Sequence, residues 1–328
     1  MVKEFARAKI NLTLDILGRR ADGFHEVSMI MQTLELADIV EIEKADAITL
    51  KISGNDSLPA DENNLAFRAV LEVQKFCRKN FGASINLIKK IPSAAGLAGG
   101  SSDAAAVIRG LNLLYDLNLS VDEMLKIGAK IGSDVPFCVI GGTCLATGRG
   151  EILTRLDDLE IFDVVLIKPR GEISTAWAYK TYDENISKVH PPTSEIIQLL
   201  KEKNYDAAFK NFSNVLEPVA IQKIPAIQTY KKFLQDNGAK VAMMSGSGST
   251  VFALTDKISL QNILQKFGGN FDAAFKKFSN VLEPVAIQKI PAVQTYKKFL
   301  QDNGTKFAAK FNFDDAQIFI TKTFRKVI

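Results

Sequence analysis

The chain has 328 residues, of which 47% are hydrophobic and 24% are charged, so it is long enough for one large or two ordinary domains with buried cores. Its net charge of +4 at pH 7 comes without a dense block of lysine and arginine, so it gives no argument for a nucleic-acid or membrane partner. Three cysteines and two histidines are too few for a Cys/His cluster, so we expect a reducing compartment and no dedicated metal site. No apolar run reaches the roughly 20 residues of a membrane span, and the first residues lack the apolar segment of a signal peptide, so we expect a cytoplasmic protein.

The beginning of the chain predicts a mostly antiparallel sheet. Residues 9–16 alternate in polarity, with Lys9 and Asn11 on one face and Ile10 and Leu12 on the other, which indicates a strand with one buried face. Three more segments of strand-like composition follow at 27–36, 39–44 and 48–53.

Two helices are predicted from apolar spacing and capping residues. The first covers 64–77 and is capped by Asn63 or Asn64. Another begins at Ser120, where Glu123 three residues later completes the spacing of a capping box.

A glycine-rich loop, PSAAGLAGGSSDAAA at 92–106, lies between a predicted strand at 84–91 and a predicted helix that Ser101 or Ser102 would cap. The N-terminus of a helix favours an anion, and glycines let the backbone approach a phosphate closely. The loop contains neither a Walker motif nor G-x-G-x-x-G. It is therefore a candidate phosphate site of another kind, and a flexible turn is the structural alternative.

The segment after residue 130 predicts a tight turn around Asp134, a chain reversal at Gly141 and Gly142, and a further strand. Near residue 155 the pattern changes to a short strand followed by polar helices. We therefore predict two domains, 1–155 and 156–328.

The second half of the chain contains a direct repeat. Residues 204–240 recur almost unchanged at 270–306. A single, nearly identical recurrence does not predict a solenoid, so a recent duplication or an artefact of gene assembly is the better interpretation. The first copy leads into a strand, the loop SGSGST and another strand, whereas the second copy leads into no such loop.

Four stretches, in order along the chain, resemble the motifs of the GHMP kinases, the superfamily of galactokinase, homoserine kinase, mevalonate kinase and phosphomevalonate kinase. The stretches are AKINLTLDILGRRADGFHEV at 8–27, PSAAGLAGGSSDAAA at 92–106, IGSDVPF at 131–137 and SGSGST at 245–250. The first is similar to one branch in particular, the 4-diphosphocytidyl-2-C-methyl-D-erythritol kinases of the non-mevalonate isoprenoid pathway. The resemblance runs from about Phe5 to Thr255 and resumes in AQIFITKTF. The second repeat copy has no counterpart in it, and Ala98 stands where many members have glycine.

The resemblance implies an α+β fold of two domains. The N-terminal domain would be a ribosomal-protein-S5-like α/β domain and the C-terminal one a ferredoxin-like α/β domain, with the duplicated segment as extra helical material near the C-terminus. It also implies transfer of the ATP γ-phosphoryl group to the 2-hydroxyl of a methylerythritol that carries a cytidine diphosphate. Mg²⁺ would come with ATP, touched by Ser101 or Ser102.

The resemblance assigns roles to individual residues. Asp134 would take the hydroxyl proton, and Lys9 beside it would keep the carboxylate ionised and stabilise charge on the transferred group. The ATP phosphates would lie against Pro92, Ala94, Ala95, Gly96, Leu97, Ala98, Gly99, Gly100, Ser101 and Ser102. The substrate would contact Asn11, Phe24, His25, Tyr179, Gly246, Ser247 and Gly248, with Phe24 and either Tyr179 or Tyr182 stacking on the base.

Each of these residues has a structural alternative. Asp134 could be only a helix cap or turn residue, Lys9 a cation on a solvated strand face, and Tyr179 or Tyr182 part of a helix core.

The function also has alternatives. A mevalonate or homoserine kinase would leave ADGFHE unexplained. An RNA-binding relative would need a basic stripe interleaved with aromatic residues, for which LIKKIP and the upstream RKN are weak support. Whether the protein is a monomer or a homodimer stays open.

The second repeat copy raises one further question, because it precedes the last predicted strand, AQIFITKTF. If the copy displaced that strand from its sheet, stability would fall although every motif remained. Long surface insertions cost little when their ends lie close together. We therefore expect that the enzyme is active and that it stays active when residues 268–309 are deleted.

Overall fold

A computed structural model of the chain describes residues 1–187, 189–267, 309–312, 316–325 and 327–328. The first of two sheets is built from β1 (Val2–Arg19), β2 (His25–Ala45), β3 (Ile48–Ser53), β4 (Gly82–Ile88), β5 (Thr143–Thr147) and β6 (Ile152–Arg155). The strand order is β3-β4-β2-β5-β6, with β1 paired to β2 as a long antiparallel hairpin. Only the β3–β4 pair among these strands is parallel.

The segments 27–36 and 39–44, expected as two strands, form the single strand β2. Residues 37–38, left between those two segments, belong to the strand, because β1 pairs with β2 across them, with Ala6 opposite Asp38. The strand continues because the buried Asp38 carboxylate is satisfied by hydrogen bonds from the Lys90 and Ile91 backbone amides.

Four helices follow the strands of this first half. They are α1 (Leu65–Cys77), α2 (Gly99–Leu114), α3 (Val121–Ile131) and α4 (Val135–Ile140). The Asn64 side chain caps α1 by accepting from the Ala66 amide, and Ser120 and Glu123 form the expected capping box of α3. α4 was not expected, because its six residues, VPFCVI, have the composition of a strand.

The start of α2 differs from the prediction. The helix begins at Gly99, so Ser101 and Ser102 lie inside its first turn and neither is the cap. The preceding residue, Ala98, has a left-handed backbone with φ of 56° and makes no side-chain cap. The Ser102 hydroxyl donates instead to the Gly99 carbonyl.

The second sheet is entirely antiparallel among the described strands. It contains β7 (Asp163–Pro169), β8 (Val241–Met244), β9 (Val251–Thr255), β10 (Ala309–Asn312) and β11 (Ala316–Lys322) in the order β10-β11-β7-β9-β8. Its helices are α5 (Thr175–Glu184), α6 (Thr193–Lys201), α7 (Tyr205–Lys210), α8 (Glu217–Lys223), α9 (Ala226–Asp236) and α10 (Lys257–Phe267).

The two copies of the repeat differ in what the structure describes. The first, 204–240, forms α7, α8 and α9, and α9 begins after Pro225 and ends before Gly238, as its sequence predicts. The second, 270–306, lies outside the described residues, as does the predicted helical segment within it. The last strand, β11, pairs with β7 along its whole length, so it is not displaced from the sheet.

Backbone contacts join the two sheets. Leu14 of β1 exchanges hydrogen bonds with the segment that precedes α8, accepting from the Val215 amide and donating to the Ser213 carbonyl, both at 3.0 Å. On the other side, the Leu34 backbone of β2 bridges to Thr323 beyond β11. β1 and β2 therefore both make backbone contacts with the second half of the chain.

Candidate active site

A cavity of about 1220 Å³ lies where the two sheets meet. Its walls come from β1, the loop before α2, the turn before α4, α5 and the loop between β8 and β9. All the candidate site residues line this cavity except Ser102, which is 1% exposed. Residues about 240 positions apart in sequence thus share one space.

Lys9 and Asp134 lie together in this cavity. The Lys9 Nζ is 3.6 Å from Asp134 Oδ2 and donates to Asn11 Oδ1 at 2.7 Å. The Lys9 side chain is 4% exposed and that of Asp134 is 31% exposed, so the ammonium is held in place while the carboxylate stays accessible. Asp134 stands at the N-terminus of α4, but its side chain makes no capping hydrogen bond. Its carboxylate is therefore available to a ligand.

The two glycine-containing loops touch each other beside this pair. The Ser245 hydroxyl donates to the Gly96 carbonyl at 3.0 Å, and the Thr250 amide donates to the Ala95 carbonyl at 3.3 Å. A Cβ atom at Gly96, whose φ is +74°, would lie 2.2 Å from the Ser245 carbonyl oxygen. Only glycine fits there, because both the space and the backbone conformation exclude a side chain.

Gly246 brings the second loop to the polar pair. A Cβ atom on it would lie 3.4 Å from both Lys9 Nζ and Asn11 Oδ1, and its φ is +58°. Next to it, the Ser247 hydroxyl lies 3.1 Å from the Thr175 hydroxyl of α5. The second loop therefore links Lys9 to α5, and Gly248 completes the same wall of the cavity.

The N-terminus of α2 provides unpaired backbone amides to the cavity. Gly99, Gly100 and Ser101 are the first three helical residues and line the cavity, whereas the Ser102 amide already donates to the Ala98 carbonyl. Such amides, together with the positive end of the helix dipole, favour a phosphate. Ala98 has a left-handed backbone at the junction where the loop enters the helix, a conformation that costs a residue with a Cβ roughly 1–2 kcal/mol.

A buried group of three charges, which sequence reasoning missed, lies beneath this loop. Lys89 donates through Nζ to Asp38 and, at 2.6 Å, to Asp103 of α2, and all three side chains are at most 4% exposed. We call these residues the buried triad. Burial opposes the charged Lys89, but the two carboxylates outweigh it and raise its pKa. No local signal in the sequence indicated the triad, because Lys89 stands beside a second lysine and Asp103 follows two serines.

Burial and, next, the negative charge of Asp38 raise the pKa of the Asp103 carboxyl well above its usual range. The triad joins β2, the residue after β4 and the first turn of α2. It therefore connects the sheet to the helix N-terminus that faces the cavity.

At the other end of the cavity, aromatic and imidazole rings form a ring site, with the Tyr179 and His25 rings tilted by 39°. The Tyr179 ring of α5 packs on His25, with ring centroids 4.9 Å apart, and Phe24 is 52% exposed beneath the Arg149 guanidinium. Tyr182 is buried in the core and does not line the cavity. Burial, together with the charge of Asp134, raises the pKa of the Tyr179 phenol, which stays neutral.

Sequence reasoning also missed two charged residues at this end, Arg149 and Asp183. His25 Nε2 makes a 2.7 Å hydrogen bond with Asp183 Oδ1 of α5. Asp183 had no signal of its own, because an acidic residue on a polar helix is ordinarily solvated.

Comparison with known proteins shows the family of the chain. Two family models match the chain, the GHMP kinases N terminal domain over residues 64–142 and the GHMP kinases C terminal domain over 194–273. The 4-diphosphocytidyl-2-C-methyl-D-erythritol kinase of Carboxydothermus hydrogenoformans is 48% identical over 255 residues, which cover 77% of this chain and 88% of the relative. That of Bacillus pumilus is 46% identical with the same coverage. The chain belongs to the 4-diphosphocytidyl-2-C-methyl-D-erythritol kinase family.

Solved structures agree with this assignment. A crystal structure of 4-(cytidine 5'-diphospho)-2C-methyl-D-erythritol kinase superposes with a TM-score of 0.68 at 29% identity, covering 82% of this chain and 96% of that one. The homoserine kinase of Cytophaga hutchinsonii has a TM-score of 0.65 at 22% identity over 83% of this chain and 90% of its own, a likeness that shows the fold alone. The expected two-part α+β GHMP kinase fold is confirmed, and the chain is a kinase of this family.

The described part of the chain contains neither a membrane-spanning helix nor a cluster of metal ligands. No helix there is long and apolar enough to cross a membrane. Within the same residues, no three His, Cys, Asp or Glu side chains come together as metal ligands.

Proposed function

We propose that this kinase transfers the γ-phosphoryl group of ATP to the 2-hydroxyl of 4-diphosphocytidyl-2-C-methyl-D-erythritol. The observation that supports the proposal best is the placement of the accessible Asp134 carboxylate 3.6 Å from the buried Lys9 ammonium, in one cavity with two phosphate-accommodating loops and a ring site. That combination suits a phosphorylated nucleotide substrate with an alcohol acceptor.

Asp134 and Lys9 have different roles in the reaction of the substrate hydroxyl. The Asp134 carboxylate accepts the proton of the attacking hydroxyl, and the Lys9 ammonium pairs with that carboxylate at 3.6 Å. The same ammonium faces the oxygens of the transferred group and stabilises the charge that develops on them. Asn11 holds Lys9 through its amide oxygen and donates one amide N–H to Met29 Sδ at 3.3 Å, which leaves its second N–H for the substrate hydroxyls.

The phosphates of ATP are placed by backbone rather than by side chains. The free amides at the start of α2 bind them, and Gly96 and Gly246 let the two loops close around the point of transfer. Ser101 is the hydroxyl that fits a Mg²⁺ ion carried by ATP, because it lines the cavity while the Ser102 hydroxyl is buried on the Gly99 carbonyl. A Mg²⁺ ion held there would supply neutralisation of the phosphate charge.

The ring site recognises the cytosine. Phe24 and Tyr179 offer aromatic faces to a flat base, an interaction worth about 1–3 kcal/mol for each stacked base by analogy with nucleic-acid complexes. No observation on the described residues favours a mevalonate or homoserine substrate, or RNA, over this nucleotide. A cytoplasmic location fits ATP and the three free cysteines, and we propose it as well.

The test is an ATP-dependent phosphorylation assay with the cytidyl substrate, mevalonate and homoserine in parallel. We expect turnover of the cytidyl substrate alone. Asp134→Asn should lower kcat by a factor on the order of 10²–10⁴, because the hydroxyl loses its proton acceptor. Asp122→Asn, an exposed acid on α3, is the matched control and should retain wild-type kcat. Full activity of Asp134→Asn would refute the mechanism, and turnover of mevalonate or homoserine alone would refute the substrate.

A further inference from the structure

We propose that Asp183 is a specificity-determining residue. It determines which ring nitrogen of His25 carries the proton, and this tautomer makes the cavity distinguish cytosine from uracil. The inference rests on the proposed function, because it concerns the base of the same substrate. It adds a positioning residue that contacts His25 rather than the reacting atoms.

The hydrogen bond between His25 and Asp183 sets the tautomer of the ring. A carboxylate only accepts hydrogen bonds, so the 2.7 Å contact of Asp183 Oδ1 with His25 Nε2 requires the proton on Nε2. In the neutral imidazole, Nδ1 is then an acceptor. The His25 side chain is only 11% exposed, so water competes weakly for its ring nitrogens.

Helix α5 fixes both the position and the tautomer of His25. Tyr179 and Asp183 are four residues apart and therefore project from the same face of α5. The Tyr179 ring packs against the imidazole at 4.9 Å, and Asp183 binds its edge. All three residues line the cavity. The imidazole is thus held by two contacts from a single rigid element.

This tautomer favours cytosine chemically. Cytosine carries an amino donor at the position where uracil carries a carbonyl acceptor. A lone pair on His25 Nδ1 accepts from the amino group of cytosine, whereas it would face a second lone pair on uracil. A site built around a hydrogen bond of this kind rejects an analogue that cannot make it.

The test compares the cytidyl substrate with its uridyl counterpart. The measured quantity is the ratio of the two kcat/KM values, which we expect to favour cytosine by at least about a hundredfold in the wild type. Asp183→Asn can donate to Nε2 and move the ring proton to Nδ1, and Asp183→Leu leaves the ring without a partner. Both variants should lower the ratio by at least about tenfold. Asp122→Asn, which removes an exposed carboxylate of α3 outside the cavity, is the control and should keep the wild-type ratio.

A nitrogen NMR measurement reads the tautomer without any assay of activity. The chain has only two histidines, so His190→Gln leaves the His25 ring as the single imidazole signal. We expect a protonated Nε2 in the wild type and a changed tautomer population in Asp183→Asn or Asp183→Leu.

Three outcomes decide the matter. Failure of the wild type to phosphorylate the cytidyl substrate would refute the proposed function itself. An active wild type whose base preference is unchanged in both Asp183 variants would overturn only the role of Asp183. A wild-type His25 with its proton on Nδ1 would also overturn it.

Discussion

At the scale of single residues, the cavity depends on positions where a side chain would separate the two loops. Gly96 is the tightest of these, because the Ser245 carbonyl oxygen occupies the space of its missing Cβ. Gly100, four residues later, lies inside α2, where a Cβ would meet Leu65 Cδ1 at an ordinary 3.5 Å. The two glycines lie in the same glycine-rich stretch, but only Gly96 lacks the space for a side chain.

Gly96→Ala should therefore destabilise the protein and weaken ATP binding. The left-handed backbone alone costs roughly 1–2 kcal/mol for a residue with a Cβ, and the contact with Ser245 adds to it. Urea unfolding should show the loss of stability, and the KM for ATP should rise as the loops separate. Gly100→Ala is the control for stability and should leave the unfolding free energy equal or slightly raised. Equal stability of the two variants would contradict the packing argument.

The sequence was informative about single residues where a motif surrounds them. The stretches around Lys9, Asp134 and Gly96 predict residues that the structure brings into one cavity. Asp183 and Arg149 could not be predicted, because their importance comes from contacts with His25 and Phe24 that are distant in sequence. A contact of that kind has no local pattern.

At the scale of elements, the buried triad explains how the phosphate-binding end of α2 is held on the sheet. Lys89 ties Asp103 of α2 to Asp38 of β2, and Asp38 also binds the backbone that leads into the loop. The three groups carry a formal charge of −1 in a buried place, so one carboxylate is costly in its ionised form. That carboxylate is Asp103, whose pKa is raised.

This raised pKa predicts a pH dependence of stability. The pKa of Asp103 is higher in the folded protein than in the unfolded chain, where it is about 3.9. Protonated Asp103 therefore stabilises the fold fully below the unfolded pKa, and this stabilisation is lost as the pH rises through the folded-state pKa. The unfolding free energy of the wild type minus that of Asp103→Asn should therefore decrease as the pH rises from about 4. Urea unfolding of both proteins over a pH series measures this difference. A difference that increased with pH would show that Asp103 is instead stabilised as a carboxylate.

Element boundaries were predicted less well than element types. The capping residues Asn64 and Ser120 gave correct helix starts, because each forms a local hydrogen bond. The break assumed within β2 and the cap assumed at Ser101 or Ser102 were wrong. In β2 a tertiary contact decides, because the Lys90 and Ile91 amides satisfy the Asp38 carboxylate. At α2 the left-handed backbone of Ala98 decides, because it starts the helix at Gly99.

At the scale of the whole molecule, the residues that line the cavity come from both sheets and the loops beside them. Lys9, Asn11 and the loop before α2 come from the first, and the second glycine loop comes from the strands of the other. The domain division at about residue 155 remains a prediction, although β6 ends at Arg155 and β7 begins at Asp163. The order of the four motifs predicted the fold class, but the contact of Gly96 with Ser245 could not be predicted from either stretch alone.

Deletion of residues 268–309 should leave the kinase active. Every residue assigned to the cavity lies before position 268, and the residues of β11 that pair with β7 all lie after position 309. The deletion removes one residue of the sheet, Ala309 at the start of β10. We expect kcat and KM for the cytidyl substrate within about twofold of the full chain, since surface insertions change stability little. An insoluble or inactive deletion variant would show that the second copy is integral to the fold.

The duplication also has a consequence for how the chain reaches its fold. In the first copy, Asn214 donates to the Met244 and Gly246 carbonyls and Glu217 accepts from the Met244 amide, so this copy holds the second glycine loop in place. The second copy carries the same residue types, as Asn280 and Glu283. A refolding chain therefore contains two segments that can compete for the same contacts with the second glycine loop, and the second copy can make these contacts before the first. The deletion variant, which has no rival, should recover its activity after denaturation faster and more completely than the full chain.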